Sequence, residues 1–367
     1  MIYTKPDYYD EFTCIADKCK DTCCSGWQIV IDDEYLNKYK KNEKFSLFDM
    51  NEYVDFKEHV FKQSNDRRCA FLRDDNLCKL CFEYGESALC RTCHLYPRHI
   101  EEFENVREIS LSLSCPQVCK ILLNRDTKVK FVSYENDESE EYEDFDFMLY
   151  SCLLDARDVM IEILQNRGLS IDVRAGMVLG LAFDMEKRLN DGRFFTIEEL
   201  LDYATTTDAL VKSSAKINSF LSDKTRVYKY MKRKFETLIK LEPISYDWIN
   251  LYSEADYILY KKGMENYTDI SEKFDAYNKK DKRFDVILEQ ILVYFVFTYF
   301  CGSVYDSNIY GKAKLCVYSV YYIKELLKAM FVRNDYELTQ EEIEDIVIRY
   351  SRELEHSDIN LGKIEEF

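Results

Sequence analysis

The chain has 367 residues, of which 47% are hydrophobic, so it is long enough for two domains and apolar enough to form a core. Its net charge of −18 argues against nucleic acid and anionic membrane surfaces as partners, because a negative field repels phosphate groups. The whole chain contains only 10 Gly and 4 Pro, which predicts long regular elements that are mostly helices.

The chain starts with MIYTKPDYYDEF, which has neither the basic segment nor the apolar segment of a secretory signal. We therefore expect a cytoplasmic protein, in which thiols stay reduced and the 14 cysteines do not form a disulfide framework. Eleven of them lie within residues 1–119, and we place a cysteine-rich, irregular N-terminal domain at residues 1–126. Within it, the apolar runs 27–31 and 109–113 predict short strands between loops.

An acidic segment follows, since residues 133–146 contain eight carboxylates and no basic side chain. Like charges at this density repel one another, so we predict an exposed linker or loop over residues 127–146. The alternative is a docking strip for a basic protein partner.

Helical periodicity dominates residues 147–367, and we predict a bundle of about seven or eight helices. The apolar stretch 286–300 contains a Glu and a Gln and is too short to span a bilayer comfortably, so it predicts a buried helix. Cys316, Val320, Ile323, Leu327 and Met330 recur at helical spacing on one face, which makes Cys316 a core residue.

Two short sequences in this region predict helix starts. Thr196 with Glu199 and Thr339 with Glu342 have the spacing of a capping box, in which each side chain bonds the backbone of the other residue.

The cysteines of the first domain have the spacing of metal ligands. Thiolates are soft ligands that select zinc, copper(I) or iron–sulfur centres over magnesium or calcium. The pairs Cys78-x2-Cys81 and Cys90-x2-Cys93 match the CxxC pattern of structural zinc sites, and spacing alone does not choose between zinc and iron–sulfur. On a helix the adjacent Cys23 and Cys24 would point about 100° apart, so a loop is needed there if both bind one centre.

Several enzyme classes lack their motifs here. The chain contains no GxGxxG dinucleotide loop, no GxxxxGK[ST] phosphate loop and no HExxH. It also lacks the CxxxCxxC triplet of standard radical enzymes that use S-adenosylmethionine, because Gly26 stands at the third cysteine's place after Cys19 and Cys23.

The cysteine-rich region contains a set of short motifs: Cys23-Cys24-Ser25-Gly26-Trp27, Ile29-Val30-Ile31-Asp32, Cys69-Ala-Phe-Leu72, Leu77-Cys78, Gly85-Glu86, Leu89-Cys90-Arg-Thr-Cys93, Tyr96-Pro97-Arg98 and Ser112-Leu113-Ser114-Cys115-Pro116. With these motifs the region resembles the bacterial flagellin lysine N-methylases. The resemblance covers residues 1–119 closely and the helical remainder in length and character. The first two cysteine groups are also similar to a broader set of small chelating proteins with a CxxCxxCC signature.

This resemblance implies methyl transfer from S-adenosylmethionine to lysine side chains of flagellin, with an iron–sulfur cluster, of the 4Fe-4S type, bound by the N-terminal domain. The implied ligands are drawn from eight cysteines, and Cys14 and Cys81 are further candidates that match the family pattern less closely. The eight are Cys19, Cys23, Cys24, Cys69, Cys78, Cys90, Cys93 and Cys115.

Two other residues are candidates for cosubstrate binding. The planar guanidinium of Arg98 suits bidentate pairing with a carboxylate, although a structural salt bridge would use the same group. Trp27 could stack on an adenine or a sulfonium, or simply belong to the core. The rival function is a zinc-binding interaction scaffold, or a redox sensor whose thiols report oxidation.

Overall fold

The structure, a computed structural model, describes residues 1–41, 44–245, 247–280 and 283–367. It confirms a mainly helical protein whose cysteine-rich N-terminal region contains short strands. Apolar side chains form two cores: a small module core between Ile29 and Cys90, and a large bundle core that extends from Tyr8 to Ile364. We call residues 14–95 the thiol module, because they pack around a core of their own.

The strands form two sheets. The larger sheet has the order β4-β5-β1-β6, in which β1 is parallel to β5 and antiparallel to β6, and β4 pairs with β5 as a hairpin. The smaller sheet pairs β2 with β3 inside the thiol module. In chain order the strands are β1 (Ile2–Pro6), β2 (Val54–Asp55), β3 (Val60–Phe61), β4 (Arg98–Phe103), β5 (Val106–Leu111) and β6 (Phe131–Glu135).

The helices are short in the module and long in the bundle. The first five are α1 (Asp33–Lys41), α2 (Met50–Tyr53), α3 (Lys79–Tyr84), α4 (Arg91–Leu95) and α5 (Pro116–Leu123). The bundle contains α6 (Phe147–Leu164), α7 (Ile171–Asn190), α8 (Ile197–Ala204), α9 (Thr207–Ser222), α10 (Lys224–Phe235), α11 (Trp248–Asp256), α12 (Met264–Asn278), α13 (Arg283–Tyr299), α14 (Ile309–Arg333), α15 (Gln340–Glu355) and α16 (Asp358–Glu366).

The structure differs from the sequence predictions for one of the two N-terminal strands and for the number of helices in the bundle. Residues 27–31 form no strand, apart from a single bridge between Val30 and Val60, because this segment winds around the module core. Residues 109–111 of the second run do lie in β5. The described part of the bundle has more helices than predicted, since short helices divide its longer periodic segments.

The proposed boundaries at residues 126 and 147 stay predictions. The acidic segment between them is mostly exposed, and it begins with β6, whose residues pair with β1. Residues Tyr8, Phe103, Leu111 and Val118 of the cysteine-rich half pack in the bundle core. The chain on both sides of the thiol module therefore anchors the module to the bundle.

Helix α13 lies at the centre of the bundle core. The stretch Arg283–Val304 is the one described helical segment long and apolar enough to cross a membrane, with mean hydropathy 1.6, but 89% of its apolar window is buried inside the protein. Its Glu289 is fully buried and binds Arg174 at 2.6 Å and Arg167 at 2.8 Å. Gln290 donates to the carbonyl of Thr127 at 2.7 Å. Paired polar groups therefore let this helix sit in a core, as the sequence predicted.

Of the remaining helix predictions, two are confirmed and one is wrong. The apolar face of α14 is buried, including Cys316, and Thr339 and Glu342 form the predicted capping box at α15. Thr196 does not cap α8, because its hydroxyl instead donates to the carbonyl of Arg193 at 2.8 Å.

Candidate metal centre and its contact with the bundle

Five thiols of the module lie against its core, and we call them the inner thiol group: Cys24, Cys69, Cys78, Cys90 and Cys93. Cys69 and Cys90 are buried and the other three are half-buried. The backbone brings distant parts of the chain together, since the Cys69 N–H donates to the carbonyl of Cys24 at 2.9 Å and Cys78 forms a bridge with Leu72. Four separate segments of the sequence therefore contribute to one group.

Short helices place the CxxC cysteines. Cys78 directly precedes α3, Cys90 directly precedes α4, and Cys93 lies in α4. Backbone N–H groups at a helix start favour a thiolate, but burial disfavours it and prevails at Cys78, raising its pKa to about 11. At Cys90 the hydrogen bond from Cys93 prevails and lowers the pKa. The same hydrogen bond, together with burial, raises the pKa of Cys93.

A second set, the outer thiol group, lies where the module meets the bundle: Cys14, Cys19, Cys23 and Cys115. Cys115 precedes α5 and is buried in the bundle core. The hydrogen bond to Cys24 and burial raise the pKa of Cys23, and the Cys14 and Cys115 thiols lie close enough to raise it further. Burial raises the pKa of Cys115, and Cys19 and Cys14 again add to the shift.

Cys23 and Cys24 connect the two groups. They are adjacent in a turn, as two ligands in neighbouring positions require, and their thiols are hydrogen-bonded. This bond lowers the pKa of Cys24 to about 7. The charge of Cys24 in turn contributes to the raised pKa values of Cys69 and Cys78, while Cys23 interacts with the outer group. The Cys24 side chain therefore belongs to the inner thiol group, and the Cys23 side chain belongs to the outer one.

Both groups offer donors that suit a soft metal. In the described part of the chain, no three His, Cys, Asp or Glu side chains are arranged so that they could hold a metal ion, and neighbouring thiols bond one another instead. The donors are nonetheless all sulfur, which fits zinc or an iron–sulfur cluster and not magnesium or calcium. Each group has enough thiols for a four-ligand centre.

All eight predicted ligands fall into these groups. Cys14 belongs to the outer group, whereas Cys81 lies on α3 beside the inner group, where burial, Glu86 and Cys24 raise its pKa. Cys119 is buried in the bundle core and its thiol donates to the carbonyl of Glu344 at 3.7 Å, which indicates a packing role.

Trp27 lies in the contact between the module and the bundle. One face of its indole stacks on His356 with ring centres 4.3 Å apart, and its Nε1 donates to the carbonyl of Cys23 at 2.8 Å. Tyr96 lies at 5.9 Å from the same ring. The binding role suggested for Trp27 stays a prediction, and the indole also joins the outer thiol group to the end of α15.

Arg98 lies at the start of β4, beside the N-terminal segment. Its Nε donates to the hydroxyl of Tyr9 at 2.9 Å, and its guanidinium lies over the Tyr9 and Phe12 rings. Among the described residues it forms no ion pair with a carboxylate, so the salt bridge considered from the sequence is not formed. The carboxylate-binding role of Arg98 stays a prediction.

A buried polar network lies at this contact, and no sequence pattern predicted it. Glu355 accepts hydrogen bonds from Ser112 at 2.9 Å and Tyr294 at 2.5 Å, and burial raises its pKa. Its other oxygen, Oε1, and the Nδ1 atom of His356 have no hydrogen-bond partner within the described ranges. Burial, with help from Arg352, lowers the pKa of His356 to about 3. The chain has only 4 His, and this low number was the one sequence feature that could have drawn attention to His356.

Comparison with known proteins identifies the family to which the chain belongs. Residues 157–367, more than half of the chain, match the family model described as the FliB lysine N-methylase C-terminal domain. The chain belongs to the FliB lysine N-methylase family. The matched FliB domain begins within α6 and includes every later helix of the bundle, so the family-defining segment lies outside the thiol groups.

Curated relatives of this FliB-family chain come from Salmonella. The lysine-N-methylases of Salmonella typhimurium and Salmonella choleraesuis are each 29% identical over 134 residues, which cover 33% of this chain and 32% of each relative. A flagellar biosynthetic protein FliU of Salmonella muenchen is 30% identical over 129 residues, which cover 33% of this chain and 76% of FliU. The match thus spans about a third of the lysine-N-methylases. No solved structure matches the chain.

Proposed function

We propose that this FliB-family protein transfers methyl groups from S-adenosylmethionine to lysine side chains of flagellin in the cytoplasm, with an iron–sulfur cluster bound by the thiol module. The observation that carries this proposal is the match of residues 157–367 to the lysine N-methylase family. The flagellar name of FliU supports flagellin as the substrate, and the two all-sulfur thiol groups support the cluster.

The chemistry requires a neutral lysine. A free lysine has a pKa of about 10.4, so its ammonium must lose a proton before the nitrogen can act as a nucleophile. The Nζ lone pair of the substrate then attacks the methyl carbon, the carbon–sulfur bond breaks with its electrons left on sulfur, and S-adenosylhomocysteine leaves. The methylated ammonium can release its extra proton to water.

Two properties of this chain bear on that reaction: its net negative charge and its cysteine-rich module. The net charge of −18 attracts segments of a protein substrate that carry lysine. An iron–sulfur cluster, when bound, supplies an ordered centre for a module with a small core. The inner thiol group, including Cys69 and Cys90, would hold it, and the outer group around Cys23 and Cys115 offers a second set of ligands.

The test combines metal analysis with an assay. The protein is purified without oxygen, and iron, zinc and acid-labile sulfide are measured together with the visible spectrum. It is then incubated with flagellin and S-adenosylmethionine, with and without a reductant, and lysine methylation is read by mass spectrometry. We expect matched iron and sulfide, and methylated lysines.

Other results would reject parts of the proposal. A colourless protein with stoichiometric zinc that still methylates flagellin would reject the cluster and keep the enzyme. Zinc without any methylation would favour the interaction scaffold.

A further inference from the structure

The helical bundle contains a large cavity on the side of α14 that faces away from the thiol module. Its volume is about 790 Å³, and its walls are formed by α6, α7, α8, α9, α10, α12 and α14. This size falls in the range of pockets that enclose small-molecule ligands. The whole cavity lies within the segment that matches the lysine N-methylase domain.

Charged groups of both signs line the floor of the cavity. Lys328 is buried and binds Glu325 at 2.6 Å and the hydroxyl of Tyr267 at 3.2 Å. One turn earlier, Lys324 binds Asp172 at 3.0 Å. A ligand in the cavity would therefore meet side chains of both charges, held in place by their mutual ion pairs.

Aromatic and apolar side chains also line the cavity. Phe220, Tyr230 and Tyr321 line the cavity together with Met177 and Met231. Flat rings and flexible thioethers suit a planar, polarisable group. The cavity thus offers a charged floor and an aromatic wall to the same ligand.

Two glycines one helical turn apart lie on the part of α7 that lines the cavity. A Cβ atom at Gly176 would lie 2.9 Å from the Cδ1 atom of Ile217, so this glycine lets α7 pack closely against the Ile217 side chain of α9. At Gly180, which also lines the cavity, a Cβ atom would meet nothing within 4 Å. Glycine is costly inside a helix, by about 1 kcal/mol relative to alanine, and here its effect is to leave space.

We propose that this cavity binds the methyl donor, a zwitterionic amino acid joined through a sulfonium to an adenine nucleoside; this inference rests on the proposed function. The α-amino and α-carboxylate groups match the mixed charges of the floor, around Asp172, Lys324 and Lys328. The adenine matches the rings on the walls, and the sulfonium is attracted to aromatic faces and carboxylates.

The position of the cavity separates the donor from the thiols. Tyr321, Lys324 and Lys328 line the cavity, whereas Ser319, on the opposite face of α14, accepts a hydrogen bond from Tyr350 of α15 at 3.0 Å. The end of α15 then contacts the thiol module. Packed helices lie about 8–10 Å apart, so two helix layers stand between the cavity and the outer thiol group. A metal bound in the module therefore lies on the other side of α14 from the cavity.

The experiment fills the cavity and measures binding of S-adenosylhomocysteine by calorimetry. Gly180→Leu places a side chain in the open space, and we expect affinity to fall about tenfold or more, because the ligand and the leucine compete for the same volume. Gly180→Ala adds only a Cβ atom and should bind within about twofold of the wild type. Gly362→Leu is the matched control, since this glycine of α16 also has nothing within 4 Å of an added Cβ.

The outcomes separate this inference from the proposed function. A wild-type protein that binds S-adenosylhomocysteine while Gly180→Leu binds it equally well overturns the cavity assignment and leaves the methylase intact. If that variant binds normally but no longer methylates flagellin, the cavity takes the lysine segment and the assignment is again wrong. A wild-type protein that binds no S-adenosylhomocysteine at all overturns the proposed function as well.

Discussion

The thiol module and the helical bundle are stabilised in different ways. The bundle buries long apolar helices such as α13 and α14 and pairs its buried charges with one another. The module has helices of only a few residues and a small core that already includes two thiols. A small core rarely stabilises a fold alone, and a bound metal is one common supplement. This difference predicts that the cysteines stabilise the module through a bound metal, whereas the bundle is stable without one.

The largest expected effect comes from removing one buried thiol in each region. Cys90 and Cys316 are both fully buried, the first in the module and the second in the bundle. We expect Cys90→Ala to lose bound metal and to make the module sensitive to protease, because metal binding and folding of such a module are coupled. Cys316→Ala should cost about 1–2 kcal/mol and keep the metal. Equal metal content in the two variants would remove the distinction between the regions.

A charge change in the bundle should have a smaller effect and spare the module. Glu289→Gln leaves the buried Arg174 without its carboxylate partner, and we expect the free energy of unfolding to fall by about 3–5 kcal/mol. The exposed pair of Lys273 and Asp269 is the control, where Asp269→Asn should cost about 0.5 kcal/mol or less. Thermal unfolding measures both. Loss of metal from the Glu289 variant would show that the regions do not fold independently.

The contact between the regions should respond to pH through His356. Burial lowers its pKa to about 3, whereas an unfolded histidine titrates near 6.5, so the unfolded state binds more protons between these values. This group's contribution therefore lowers stability as the pH falls below 6.5, by about 2 kcal/mol at pH 5. His356→Phe keeps a ring against Trp27 and does not titrate. Between pH 7 and pH 5 the unfolding free energy of the wild type should therefore fall by about 2 kcal/mol more than that of His356→Phe, and an equal fall in both proteins would contradict this.

Sequence reasoning was more reliable where one segment carried the whole signal. The spacing of apolar residues predicted the buried faces of α13 and α14, and the cysteine spacing marked the candidate ligands. It could not divide those ligands into an inner and an outer group, because that depends on backbone contacts such as the bond between Cys24 and Cys69. Nor could it find the cavity, whose walls come from seven helices, or the network around Glu355, which joins α13 and α15 to the residue that follows β5.

The smallest expected effect concerns the capping-box spacing, which occurs at two helix starts of the bundle. Thr339 accepts a hydrogen bond from the N–H of Glu342, whose carboxylate accepts one from the N–H of Thr339. Thr196 has the same spacing to Glu199 but sits with its backbone in a helical conformation, so its hydroxyl points back to Arg193 and caps nothing.

The matched changes Thr339→Ala and Thr196→Ala should therefore differ. We expect the first to cost about 1 kcal/mol in unfolding free energy and the second clearly less, because only the first leaves helix N–H groups without acceptors. Both variants should keep their metal and their affinity for S-adenosylhomocysteine, since neither residue lies in the module or lines the cavity. Equal losses of stability would mean that Thr196 caps α8 in solution, and that a turn before the helix rearranges to allow it.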